Sequence, residues 1–412
     1  MHKKLGRAVF SLFSAAALSV LGGSLSLGAT LPDSFTVAQG EEFFLPQSSL
    51  PLRVSAVQAV DGTNAAQTAS SAGSSYSVKL SLPGGIAVKT VKVDVVQRQS
   101  VVPGGQPFGI KMFTNGVMVI NTGDVQSENG ICNPAKDAGI QVGDVILCVN
   151  GRHVRSNEDF ASLIDSSNGD PVNISLMREE QTQQVTLTPV ADKTSGAYRV
   201  GLWVRDSSAG IGTVTFYDPT SLVFGGLGHA VCDVDTGEIL PLMSGEMAPV
   251  EVTGCTKGKC GIPGELSGAF LSEEKLGDLK LNTQTGLFGQ LGKLPQDSQD
   301  TVEVAMRQEV HTGDAVIRST VDSGEVKEYA ITIEKVDYSE ESPTKNLQVR
   351  VTDPELLEKT GGIVQGMSGS PILQDGRLVG AVTHVFVNDP TRGYGIFAEN
   401  MLDTAQKVQS QS

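Results

Sequence analysis

Read for its apolar and polar positions, the chain is a succession of short strands cut by glycine turns. Ala87-Val88-Lys89-Thr90-Val91-Lys92-Val93-Asp94-Val95 alternates with a period of two, the mark of a half-buried strand. With Phe43–Leu45, Leu52–Val57, Val78–Leu82 and Ile86–Val96 it predicts a small β region over 32–97. The Ala/Ser/Thr/Gly-rich stretch Gly62–Ser75 interrupts that region and reads as a mobile loop. Ahead of it, Lys3, Lys4 and Arg7 precede an uncharged run from Ala8 to about Leu31. A cationic start followed by an apolar segment predicts an export signal or membrane anchor over 1–31, which sends the remainder across a membrane.

From about Ser100 to Val190 the periodicity switches between strand and helix. The Gly-rich stretch Pro103-Gly104-Gly105-Gln106-Pro107-Phe108-Gly109-Ile110 opens a strand, and Val117–Ile120 follows. A short helix is predicted with Asn133 as cap, Pro134 at its first position and Gly139 beyond its end. Gly143-Asp144-Val145-Ile146 and Val149-Asn150-Gly151 supply a strand and turn. A second helix starts at Ser156 with Asp159 three residues on, placing Phe160, Leu163 and Ile164 on one face. Two strands, 172–176 and 185–187, close the unit. This order and these motifs resemble a PDZ domain over 98–190. The resemblance implies a groove in which an extended peptide, or the protein's own chain, adds as a strand. Phe108, Gly109 and Ile110 would then be the loop that meets its terminal carboxylate.

After about Ala191 the texture is again short strands and glycine turns, and 191–412 reads as a third, all-β unit. Its most informative stretch is Gly362-Ile363-Val364-Gln365-Gly366-Met367-Ser368-Gly369-Ser370-Pro371-Ile372. A serine hydroxyl needs a base to take its proton and fixed donors for the developing oxyanion. Gly366 and Gly369 allow backbone angles closed to other residues, so the amides of Gly366 and Ser368 can converge as an oxyanion hole. Ser370 stands where an α/β-hydrolase elbow wants glycine, and a strand-like run follows instead of a helix. That favours a β-barrel serine peptidase.

Among the five histidines, His2 lies in the export segment, His153 in the PDZ-like unit and His311 in a polar stretch. His229, behind Gly225-Gly226-Leu227-Gly228, and His384, in Ala381-Val382-Thr383-His384-Val385, remain as bases. His229 is preferred because a base upstream of the serine matches the order of β-barrel peptidases, and His384 is the runner-up and a site neighbour. Asp353 is the candidate acid and the weakest of these assignments, because Asp353-Pro354 with Gly361 downstream is first of all the signature of a helix cap; Asp233 and Asp235, close to His229 in sequence, are less attractive alternatives.

Composition narrows the classes. A net charge of -15, with no Lys/Arg cluster after the first residues, argues against nucleic-acid binding. The five cysteines form no disulfide scaffold; Cys255 and Cys260 give a weak metal signal and allow one surface disulfide. No metal or cofactor is called for.

Gly-His229-Ala, Thr-Asp353-Pro, Gly-Gly-Ile-Val-Gln-Gly-Met-Ser368-Gly-Ser-Pro-Ile and Ala-Val-Thr-His384-Val-Phe-Val together resemble the stage IV sporulation protein B peptidases over nearly the full length. The resemblance implies a chymotrypsin-like β-barrel peptidase behind a PDZ domain, with Ser368 as nucleophile, His229 as base and Asp353 as acid. It further implies a protein made in the forespore and exported to the space between forespore and mother cell. There it would cleave itself and the regulator of an intramembrane metalloprotease, so that a late sigma factor precursor is processed. Met367 stands where digestive relatives carry aspartate, so activation by a freed N-terminus pairing there is not available. The competing classes are a non-catalytic exported PDZ adaptor and a general envelope quality-control protease.

Overall fold

The computed structural model describes residues 28, 31–44, 52–59, 71–272, 274–295, 300–322 and 324–411. The segment 1–31, expected to be an export signal or anchor, lies outside the described residues except for Gly28 and Leu31, as does most of the Ser-rich loop. The architecture is mainly β, as the alternation predicts. Ser34–Ala38, Arg53–Ala59, Ser75–Leu82 and Ile86–Val96 form a four-stranded sheet, with Ser34–Ala38 parallel to Ile86–Val96. Phe43 and Phe44, expected in a strand, lie outside any.

Two barrels dominate the remainder. The first closes from Pro107–Thr122 through Leu242–Ala248, Gly277–Thr283, Gly286–Leu291 and Val223–Gly226 to Leu202–Tyr217, which pairs back with Pro107–Thr122. The second closes from Gly313–Ser319 through Lys327–Val336, Leu347–Val351, Asp389–Phe397 and Arg377–Phe386 to Pro371–Gln374. Each is filled by its own apolar cluster, around Phe108, Met112, Phe224 and Leu287 in the first and Ile317, Ile333, Val349 and Met367 in the second. Closure leaves no unpaired sheet edge around a barrel, so the seam between the two is where a site can be built.

The PDZ-like unit is not spatially separate from the first barrel. The strand Pro107–Thr122 pairs along most of its length with Leu202–Tyr217, while its Val117 and Met118 pair with Ile146 and Val145 of the PDZ-like sheet. One strand therefore serves both bodies. The helices form where the caps predict: the Asn133 side chain accepts the Lys136 amide, and the Ser156 hydroxyl accepts the Asp159 amide. Phe160, Leu163 and Ile164 face inward.

Candidate active site

The serine turn belongs to the second barrel and is held by the first. Gly366 and Gly369 have φ of +94° and +96°, the left-handed region that glycine tolerates. The turn runs directly into the strand Pro371–Gln374, and Met367 points into the second barrel's core. From the first barrel, the Thr213 amide donates to the Ser368 carbonyl at 3.0 Å, and the Thr213 hydroxyl donates to the Gly366 carbonyl at 2.7 Å. Two residues on, the Thr215 hydroxyl donates to the Gly369 carbonyl at 2.7 Å. The approach is so close that a Cβ on Gly369 would lie 2.0 Å from the Thr213 carbonyl oxygen.

These bonds engage carbonyls and leave two amides over. Among the described residues, neither the Gly366 nor the Ser368 N–H donates to any group. Two spare backbone donors flanking a serine are what an oxyanion hole requires.

His229 arrives from the first barrel just beyond the strand Val223–Gly226. Gly228 before it has φ of +69°, and a Cβ there would meet the Thr383 Cγ2 at 2.9 Å. The Ser368 hydroxyl donates to the carbonyl of that same Thr383 at 2.8 Å. The residue before His229 and the Ser368 hydroxyl therefore meet the same residue, Thr383, at the seam between the barrels. His229 Nδ1 lies 2.8 Å from the Ala230 carbonyl oxygen, which can only accept, so Nδ1 carries the proton and Nε2 is left with its lone pair. Burial holds the His229 imidazole below its ordinary pKa, only partly offset by the Ala230 carbonyl, and so favours the neutral, basic form.

His384 sits against His229, ring centroids 4.9 Å apart and tilted by 36°. Although His384 stays exposed on one side, burial of its packed face, the charge that a protonated His229 would place beside it and the Lys345 ammonium hold its pKa low as well. Two imidazoles this close cannot both be protonated cheaply.

The structure does not bring Asp353 to this cluster. One carboxylate oxygen accepts the Leu356 amide at 3.0 Å as helix cap, and the other accepts the Ala330 amide at 3.3 Å. The helix it caps, Pro354–Thr360, ends at Gly361 with φ of +76°. Lys345 and Thr344, beside His384 and Thr383, precede the strand Leu347–Val351, and Asp353 follows it. At about 3.3 Å per residue it lies roughly 20 Å beyond the Leu347 end. The expected acid is thus a cap, and among the described residues no carboxylate hydrogen-bonds to His229.

Phe108, Gly109 and Ile110 are not a carboxylate-binding loop either. They lie within the strand Pro107–Thr122, Gly109 and Ile110 paired with Ile211 and Gly210 on one edge and with Ala248 and Met247 on the other. Phe108 is fully buried edge-on against Phe224. A cavity of about 830 Å³ lies instead between the helix Asn157–Asp165 and the segment 198–204. There Leu202, Trp203 and Val204 pair with Thr122, Asn121 and Val119 on one edge only, and Gly201 has φ of +76°. The loop and strand that line this cavity follow the last PDZ-like strand in the chain instead of preceding the first. Val200-Gly201-Leu202-Trp203-Val204, an apolar–glycine–apolar run, was the signal for it. All five cysteines are free, so the disulfide that Cys255 and Cys260 allowed is not formed.

The profile of the SpoIVB peptidase S55 family matches residues 196–402, half of the chain, and that of the PDZ domain matches 133–178. The chain belongs to the SpoIVB peptidase S55 family. Its members are serine peptidases. Two curated relatives, one from Clostridium perfringens and one from Bartonella henselae, carry names that describe a zinc metalloprotease. They are 30% identical over 70 residues and 32% over 81, which is 17% and 19% of this chain. The chain spans about a fifth of their length, 21% and 22%. Among the described residues no group of His, Cys, Asp or Glu is placed to hold a metal ion. Among solved structures, the PDZ domain of the SdrC-like protein from Listeria monocytogenes is 25% identical, covering 22% of this chain and 87% of its own, with a TM-score of 0.18.

Proposed function

We propose that the chain is a serine endopeptidase in which Ser368 attacks the peptide carbonyl, His229 is the base, and the Gly366 and Ser368 amides receive the oxyanion. The observation that carries this is the pair of unengaged amides in a serine turn whose hydroxyl bonds the Thr383 carbonyl, with Gly228 against Thr383 and His229 against the adjacent His384. Rotation of the Ser368 hydroxyl from the Thr383 carbonyl towards His229 Nε2 starts the reaction. Nε2 takes the Oγ proton as the Oγ–C bond forms; His229 then returns it to the amine as the C–N bond breaks, and water clears the acyl-enzyme by the same route reversed. The Ala230 carbonyl, not a carboxylate, sets the His229 tautomer.

By resemblance to the sporulation peptidases, the substrates are the protein itself and the regulator of an intramembrane metalloprotease, in the space between forespore and mother cell. The same resemblance supports export or anchoring through the N-terminal segment, and the groove at 198–204 supports capture of an extended peptide or of the protein's own chain. A fluorophosphonate tests the chemistry, since it labels only an activated serine. Wild-type protein should be labelled at Ser368, and Ser368→Ala should lose labelling and all proteolysis while keeping its melting temperature. Proteolysis retained in Ser368→Ala would rule out the mechanism, and no labelling of the wild type would leave an exported PDZ adaptor.

A further inference from the structure

The two oxyanion donors are not fixed in the same way. In a trans peptide the carbonyl and the N–H point in opposite directions, so whatever grips the carbonyl of one residue aims the amide of the next. The Ser368 amide shares its peptide plane with the Met367 carbonyl, which accepts the Ser370 amide at 2.9 Å inside the serine turn itself. The Gly366 amide shares its plane with the Gln365 carbonyl, and that carbonyl is gripped from outside. The Leu266 amide donates to it at 2.9 Å, and the Gln365 amide donates in return to the Gly264 carbonyl at 2.8 Å.

Gly264 and Leu266 belong to a hairpin, Val250–Thr256 with Glu265–Phe270, that leaves the first barrel after the strand Leu242–Ala248 and reaches over to the second. Its tip has further holds there. The Gly258 amide donates to the Thr360 carbonyl and the Gly261 amide to the Val387 carbonyl, each at 2.8 Å. The fit is tight: a Cβ on Gly264 would lie 2.6 Å from Val364 Cγ1 and 2.3 Å from the Thr256 carbonyl oxygen. Gly366, lacking a Cβ, offers little resistance to rotation of its own peptide plane, so that plane needs an external hold.

We infer that this hairpin is the positioning element of the oxyanion hole: the Leu266 amide, by holding the Gln365 carbonyl on its own side, turns the Gly366 amide into the site. Leu266 touches no substrate; it acts through Gly366. The inference rests on the proposed roles of Ser368 and Gly366. One donor is thus intrinsic to the serine turn, and the other exists only while the first barrel's hairpin is seated on the second barrel.

The test removes the Leu266 donor alone. Full-length protein is made with the α-hydroxy acid counterpart of leucine at 266, which replaces the amide by an ester, and the rate of Ser368 phosphonylation by a fluorophosphonate is measured. Loss of an oxyanion donor costs about 10²–10³ in rate, and partial loss of its orientation should cost about 10- to 100-fold. The matching ester at Ile262, whose amide bonds only within the hairpin to the Lys259 carbonyl, should react at the wild-type rate. Gly264→Ala should reproduce the Leu266 result. A Leu266 ester that reacts at the wild-type rate, or an Ile262 ester slowed equally, overturns the inference while leaving the serine assignment in place. Labelling that persists in Ser368→Ala overturns the assignment itself.

Discussion

Asp353→Asn separates two roles that differ by orders of magnitude. As a triad acid, Asp353 would hold the His229 tautomer, and its replacement by asparagine would cost about 10⁴ in kcat, roughly 5 kcal/mol of barrier. As the cap seen here, it loses far less. Asparagine retains an oxygen for the Leu356 amide, now at 3.0 Å, and is itself a good cap. It gives up the long 3.3 Å bond from the Ala330 amide, worth about 0.5–1 kcal/mol, and a charge at a helix N-terminus worth about 0.3–1 kcal/mol. The expected outcome is a stability loss of about 1–2 kcal/mol, with phosphonylation of Ser368 within about threefold of wild type per folded molecule. Denaturant melts give the first number and fluorophosphonate kinetics on the same samples give the second. A thousandfold or greater loss of rate at an unchanged midpoint would refute the cap reading and restore Asp353 as the acid.

Two further outcomes follow from the site and the barrel. As the proposed base His229 must be neutral, and burial lowers its pKa, so activity should hold as pH falls below the ordinary histidine value and fail only at the lowered one; a kcat/KM profile whose acid limb lies at or above about 6.5 would contradict this. Phe108→Ala should open a cavity beside Phe224 and cost about 3–5 kcal/mol in a denaturant melt, with no specific effect on peptide capture at 198–204. Intact stability with lost peptide capture would return Phe108 to the groove.

What was legible in the chain was whatever one segment settles with its own atoms. The caps at Asn133 and Ser156 formed as read, and at Asp353 the cap signature formed in place of the expected acid, because a side-chain oxygen and an amide three residues on meet without outside help. The serine turn formed because Gly366 and Gly369 can take positive φ, and the mainly β class followed from strands whose alternation pairs one apolar face with one polar face. Tertiary structure decided which strand edges meet. Alternation says which face is buried but nothing about the partner, so the sharing of Pro107–Thr122 between two bodies and the placing of the cavity beside 198–204, not 108–110, were not legible. The same holds for the grip of Thr213, Thr215 and Leu266 on the serine turn. Those contacts run largely through backbone amides and carbonyls, groups that every residue carries alike, and only the closing of two barrels against each other selects which of them become a site.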